Sequence, residues 1–179
     1  MRKINEIFYS LQGEGFHTGT PAVFVRFSGC NLKCSFCDTQ HEEGVWMSDE
    51  EILAEVGKYP AVTVILTGGE PSLWIDREFV DCLHWMGKYV CIETNGTHSL
   101  PDNIDWVTCS PKQGAKLCIS RMDEVKVVYE GQDIAVYESL PAGHFFLQPC
   151  SCSNTAETVA CVMQHPKWRL SLQTHKLIE

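Results

Sequence analysis

The chain has 179 residues, 44% hydrophobic and 21% charged, which is the length of one domain (1–179) with enough apolar material for a full core. Its formal net charge is −9, and no Lys/Arg-rich run interrupts the acidic balance; a nucleic-acid groove needs a concentrated basic face, so the composition points instead to a small-molecule substrate. The amino-terminal MRKINEIFYS has no apolar h-region, and no apolar run is long enough to span a membrane, so the expectation is a cytoplasmic protein.

In chain order, Ile4–Tyr9 reads as a short strand feeding the turn Gln12-Gly13-Glu14-Gly15. Ala22–Phe27 (AVFVRF) is β-branched and aromatic, a strand that ends directly at a cysteine-bearing loop. Ser48–Val56 opens with Ser-Asp-Glu-Glu, a capping-box-like helix start. Val62–Leu66 (VTVIL) is a continuous apolar run and predicts a strand buried on both faces. Ile75–Gly87 predicts a helix, Tyr89–Glu93 and Asp105–Cys109 two strands, Glu124–Val128 and Phe145–Gln148 two more, and Thr155–Gln164 a helix. No repeat or linker is visible. The alternation argues for a parallel sheet with right-handed crossovers, whose chemistry gathers at the carboxyl ends of the strands. A strand–helix unit takes roughly 30 residues, so six nearly exhaust the chain. Ser110–Asp123 and Glu130–Gly143 are short for crossover helices. The predicted fold is therefore α/β, an incomplete six-stranded parallel (βα)6-type partial barrel with reduced outer helices. Its exposed flanks suit a homodimer.

The loop after AVFVRF carries Cys30, Cys34 and Cys37. Thiols at this spacing can fold round one corner of a cubane iron–sulfur cluster, which normally takes four thiolates. The segment supplies three. An iron without a protein thiolate can chelate the amino group and carboxylate of S-adenosylmethionine, and one electron passed to the adjacent sulfonium then releases an adenosyl radical. Phe36 is placed to pack against an adenine ring. Two plainer readings compete: a zinc site, for which no second Cys pair matches, and three unliganded thiols. In a reducing compartment the ten cysteines read as metal ligands and apolar filler rather than disulfides. Cys82, Cys91, Cys109, Cys118 and Cys161 read as core, while Cys150 and Cys152, with Cys161 or His165, are a minor candidate for a second metal site.

The segment resembles the radical S-adenosylmethionine superfamily signature, C-x3-C-x-aromatic-C. Thr67-Gly68-Gly69-Glu70-Pro71 follows VTVIL and is similar to the superfamily's GGEP motif, which binds the amino group of the cofactor's methionine. Paired glycines let a backbone approach a ligand closely, and Glu70 suits an ammonium. Glu93 at a strand end suits ribose hydroxyls. Ser110, Pro111 and Lys112 suit the adenosyl or carboxylate portion, and Gln148, Cys37 and Asp38 complete the expected cofactor contacts. Each has a plainer reading as an ordinary cap or surface group, weakest for Glu70.

Further stretches narrow the likeness. Glu6–Gly15 (EIFYSLQGEG), Arg26, Cys37-Asp38-Thr39, TGGEP, ETNGT, SPK and Leu170–Lys176 (LSLQTHK) stand in one order along nearly the whole chain. Together they resemble the 7-carboxy-7-deazaguanine synthase family of 7-deazapurine (queuosine) biosynthesis. The resemblance implies a lyase that converts 6-carboxy-5,6,7,8-tetrahydropterin to 7-carboxy-7-deazaguanine and ammonia. Hydrogen is taken from C6, the ring contracts, and S-adenosylmethionine is regenerated. It assigns no catalytic side chain beyond the cluster and cofactor. It implies pterin contacts from Leu11, Gln12, Gly13, Glu14 and Thr67, with Arg26, whose planar fork matches carboxylates, on the substrate carboxylate. It also implies a magnesium ion held by the Thr39 hydroxyl, a pocket closed by His175 and the terminal Glu179, and an electron donor such as a flavodoxin or ferredoxin. The other histidines (His17, His41, His84, His98, His144 and His165) receive no role. Rival readings are a glycyl-radical activase, a small iron–sulfur electron carrier and a zinc-stabilised binding module.

Overall fold

The computed structural model describes residues 1–37 and 40–177. Its strands are β1 (Arg2–Leu11), β2 (Pro21–Phe27), β3 (Val45–Met47), β4 (Thr63–Gly68), β5 (Tyr89–Thr94), β6 (Trp106–Cys109), β7 (Glu124–Tyr129), β8 (His144–Pro149) and β9 (Arg169–Leu170), and its helices are α1 (Asp49–Val56), α2 (Arg77–Trp85) and α3 (Thr155–Gln164). Among the described residues the strands form one nine-stranded sheet in the order β3-β1-β2-β4-β5-β6-β7-β8-β9. β2, β4, β5, β6, β7 and β8 run parallel, the six expected, and the sheet stays open.

The edges depart from expectation. β1 is ten residues long, not a short strand, and pairs antiparallel with β2 from Ile4↔Phe27 to Leu11↔Pro21. β3 lies in a stretch read as loop, because three residues, two of them exposed, show no apolar period. It pairs antiparallel with β1 through Arg2↔Met47. β9 has only two residues and extends the parallel set through Leu147↔Leu170.

Strand alternation sorts the side chains onto two faces. Val25, Leu66, Ile92, Val107, Val127 and Leu147 face the helices and pack with Ile52, Val56, Phe79, Val80 and Leu83. Burying each such side chain stabilises by about 1.5–3 kcal/mol. The opposite face begins apolar, with Ala22, Phe24, Ile65 and Cys91 packed beside Phe8 and Trp106. It turns polar toward the carboxyl ends, where the same alternation places Arg26, Thr67, Glu93, Lys126 and Gln148.

The helix starts are chemically specified. Ser48 Oγ accepts from Glu51 N–H at 3.2 Å while Glu51 Oε2 accepts from Ser48 N–H at 2.7 Å, a complete capping box on α1. Asp76 caps α2 by accepting from Phe79 N–H at 2.9 Å. Buried Arg2 joins both helix starts to β1: it donates to Asp49 at 2.8 Å and to Asp76 at 3.1 Å, and lies 4.3 Å over the Phe79 ring. Between β7 and β8 the outer layer shrinks to a 3-10 turn, Ala135–Tyr137.

Of the cysteines read as core, Cys91 and Cys109 are buried, and burial pushes the Cys109 thiol up to about 12. Cys82 and Cys161 are half-buried. Cys118 is exposed, a correction: its apolar sequence neighbours Leu117 and Ile119 pack on the core while it faces away. Among the described residues no helix is long and apolar enough to cross a membrane.

Candidate active site

A cavity of about 550 Å³ opens at the carboxyl ends of the parallel strands, within the ~300–1,000 Å³ range of small-molecule sites. Its walls come from the loops after β2, β4, β5, β6 and β8, the turn after β1, and the carboxyl-terminal segment.

The cysteine loop forms one wall. Cys30, Cys34 and Cys37 all line the cavity, beside Phe36. Cys37 N–H donates to the Cys34 carbonyl at 3.2 Å, and Leu32 N–H donates to Cys30 Sγ at 3.4 Å. Burial raises the Cys30 thiol, the Leu32 N–H opposes this, and Glu70 with the other two thiols adds to it. The donor set fits a cubane: three thiols share one wall, and N–H groups that point at sulfur tune such clusters. Cys150 also lines the cavity, but from the end of β8, at the other side of the parallel set.

The glycines of the TGGEP stretch make room for protein before they make room for a ligand. A Cβ on Gly68 would overlap the Phe27 backbone, and one on Gly69 would overlap the Gly29 carbonyl. Gly69 N–H donates to the Phe27 carbonyl at 3.0 Å and Glu70 N–H to the Gly29 carbonyl at 2.9 Å, so the end of β4 is stitched to the stem of the cysteine loop. Glu70 is fully buried and lies behind the wall rather than on it. Its Oε1 accepts from Thr94 Oγ1 at 2.6 Å and Ser72 N–H at 3.1 Å, and its Oε2 accepts from Asn95 N–H at 2.7 Å. Asn95 in turn donates to Asn31 in the cysteine loop at 3.0 Å. The ETNGT stretch thus braces the loop that carries the thiols.

The cavity floor is a charged network. Lys126 on β7 is buried and donates to Glu14 Oε2 at 2.5 Å and Glu93 Oε1 at 3.0 Å. Glu93 also accepts from Gln12 Nε2 at 3.2 Å and Thr67 Oγ1 at 2.8 Å. Glu14 accepts from Gln173 Nε2 at 2.9 Å, and Gln12 Oε1 accepts from Glu14 N–H at 3.1 Å. Burial alone would raise the Glu14 carboxyl, but the Lys126 ammonium and the Gln173 amide more than offset it and hold it below its ordinary value. Burial would also lower the Lys126 ammonium, yet Glu14, Glu93 and Glu124 raise it.

The carboxyl-terminal segment locks the turn after β1. Thr174 donates to the Gly13 carbonyl through N–H and hydroxyl, each at 3.0 Å. A Cβ on Gly13 would strike His175. Gly15 N–H donates to Ser171 Oγ at 3.0 Å, which donates to Gln148 Oε1 at 3.0 Å. Arg26 lines the cavity 5.4 Å from the Phe8 ring and makes an ion pair with Glu6 at 3.2 Å that lacks hydrogen-bond geometry at Nε. Lys112 donates to the Ser110 carbonyl at 2.9 Å and its hydroxyl at 2.7 Å, and sits 5.8 Å from the Phe36 ring.

Of the residues expected for substrate, Leu11, Gln12, Gly13, Glu14, Arg26, Thr67 and His175 line this cavity. So do Phe36, Cys37, Gly68, Gly69, Glu93, Ser110, Lys112 and Gln148 of those expected for the cofactor. Glu70 and Pro111 do not. Asp38, Thr39 and Glu179 lie outside the described residues. Lys126, Gln173 and His41 line the cavity without having been singled out. Glu93, expected beside a ribose, bonds Gln12 and Lys126 on the floor.

Comparison with known proteins adds the family. Residues 24–108 match the Radical SAM superfamily model. The chain is 82% identical over its full length to 7-carboxy-7-deazaguanine synthase of Bacteroides thetaiotaomicron, covering 98% of that protein. It is 41% identical to the 7-carboxy-7-deazaguanine synthase of Nitratidesulfovibrio vulgaris, over 98% of this chain and 97% of the relative. The crystal structure of QueE from Escherichia coli superimposes with a TM-score of 0.80 at 31% identity, covering 96% of this chain and 93% of the other.

Proposed function

The chain belongs to the 7-carboxy-7-deazaguanine synthase family of the radical SAM superfamily, and we propose that it converts 6-carboxy-5,6,7,8-tetrahydropterin to 7-carboxy-7-deazaguanine with loss of ammonia. The observation that carries this reading is the pairing, within one cavity, of a three-thiol wall with a carboxylate floor. When bound there, a [4Fe-4S] cluster and S-adenosylmethionine supply an adenosyl radical for hydrogen abstraction at C6.

The residues divide the remaining work. Cys30, Cys34 and Cys37 hold the cluster, while Phe36, Gly68, Gly69, Ser110, Lys112 and Gln148 flank the cofactor. Glu14, Glu93 and Gln12 offer acceptors to the amino and amide groups of the pterin, with Thr67 beside them. Arg26 takes the substrate carboxylate, and the Thr39 hydroxyl would donate an oxygen to a magnesium ion, which would help neutralise that carboxylate. The carboxyl-terminal segment, through Gln173 and His175, covers the turn after β1 and keeps water from the floor. Holding the substrate in one orientation is the protein's main contribution, since the cofactor brings the difficult chemistry. Glu70 supports the reading from behind, by fixing the loops that meet at the cofactor. A flavodoxin or ferredoxin donates the electron, and the protein acts as a homodimer.

Anaerobic reconstitution followed by incubation with carboxytetrahydropterin, S-adenosylmethionine and dithionite tests the proposal. Mass spectrometry should find 7-carboxy-7-deazaguanine. Cofactor cleavage without any deazapurine would point to an activase, and absence of cleavage would leave only an iron–sulfur or zinc protein.

A further inference from the structure

The strand predicted over Glu124–Val128 gives Lys126 no role, yet it is 6% exposed and reaches two carboxylates that belong to different elements. We infer that Lys126 is a positioning residue that holds the Glu14 and Glu93 carboxylates together as hydrogen-bond acceptors, so that the cavity floor selects a 2-amino heterocycle over its 2-oxo counterpart. This rests on the pterin reading above.

Glu14 comes from the turn after β1 and Glu93 from the end of β5, and both touch the same buried ammonium, so they lie close together in a part-buried site. Two carboxylates that share a buried site do not both stay ionised unless a cation intervenes. A protonated carboxyl would offer an O–H donor, which repels an amino group but suits an oxo group. With the ammonium between them both stay acceptors, and the pterin's 2-amino and N3–H groups find partners. A 2-oxo ring would set oxygen against oxygen. Among the described residues, the ionisable groups facing this network include Glu124 from the start of β7, Lys112 from the loop after β6, and His175 from the carboxyl-terminal segment, with Arg26, His41 and Lys176 on the same cavity. Burial pushes the Glu124 carboxyl up, against the opposing pull of Lys126, so the ammonium's direct partners are Glu14 and Glu93. Lys112 is a second cation but is engaged with Ser110.

The test is equilibrium dialysis of 6-carboxypterin and 6-carboxylumazine against the anaerobically reconstituted protein, wild type and Lys126→Met, across neutral pH. Wild type should prefer the pterin with little pH dependence, because Glu14 is held below its ordinary value and Lys126 above its own. Lys126→Met should lose at least about tenfold in pterin preference, and its pterin affinity should fall as pH drops from about 8 to about 6, when one carboxyl takes a proton. Should Lys126→Met fail to fold, as judged by its thermal midpoint, the charge-neutral Glu14→Gln/Lys126→Met double variant is read instead. It should bind with no pH dependence and with the preference largely gone. A variant that keeps the wild-type preference and flat pH profile overturns the role of Lys126 while leaving the pterin reading intact. Wild type that binds neither compound overturns both.

Discussion

Glu70 offers the sharpest perturbation, because sequence likeness and structure give it different work. The likeness puts its carboxylate on the cofactor's ammonium, whereas the structure buries it among Ser72 N–H, Thr94 hydroxyl and Asn95 N–H. In Glu70→Ala the Thr94 hydroxyl can turn elsewhere, but two backbone N–H groups lose their acceptor. At about 1–3 kcal/mol for a stranded buried donor, in full at Asn95 and in part at half-buried Ser72, the cost comes to about 3 kcal/mol, a large share of a stability of about 5–15 kcal/mol. For a chain of this size that lowers the thermal midpoint by about 10 °C, at about 2–4 °C per kcal/mol. The assay is thermal unfolding of the anaerobic protein without S-adenosylmethionine, so that any loss is independent of the cofactor. A midpoint within about 2 °C of wild type, joined to a large loss of cofactor affinity, would refute the bracing role and restore Glu70 to the ligand.

Three other outcomes follow from the same geometry. Gly69→Ala forces a methyl into the Gly29 carbonyl; reconstituted iron per chain should fall well below that of wild type, as measured by iron analysis. Gly13→Ala pushes His175 and its backbone off the turn; substrate KM should rise by at least about tenfold, while cofactor cleavage without substrate stays near wild type, as read by chromatography. Burial would raise the Glu14 carboxyl, but the Lys126 ammonium holds it below its ordinary value, so its contribution to stability is complete above the ordinary value and is lost as pH falls through the lowered one. Urea midpoints should accordingly show wild type more stable than Glu14→Gln at neutral pH, with the gap closing in acid; a gap independent of pH would contradict the ion pair with Lys126.

Much of this site could be read from local pattern. VTVIL announced a doubly buried strand because both faces of β4 are covered, Val64 and Leu66 by the helices and Ile65 by the inner cluster. Ser48 and Glu51 announced α1 because a capping box is a four-residue signal. The cysteine spacing is equally local. What stayed hidden depends on contacts distant in sequence. Lys126 and Glu14 are 112 residues apart, and Gln173 and Glu14 are 159 apart. No pattern in EVKVVY says which face of the sheet meets the turn after β1. Glu70 was legible as important, but its bonds to Ser72, Thr94 and Asn95 were not, because a buried brace and a ligand anchor call for the same residue. The exposed place of Cys118 was likewise invisible, since its neighbours are apolar whichever way it points.

The account depends on a cavity that brings a sulfonium cofactor and a carboxypterin within reach of one another. Carboxytetrahydropterin carrying deuterium at C6, turned over anaerobically, tests this most directly. Deuterium should appear in S-adenosylmethionine or 5′-deoxyadenosine as 7-carboxy-7-deazaguanine accumulates. Deazapurine formation with all the deuterium lost to solvent and none in the adenosyl group would contradict it.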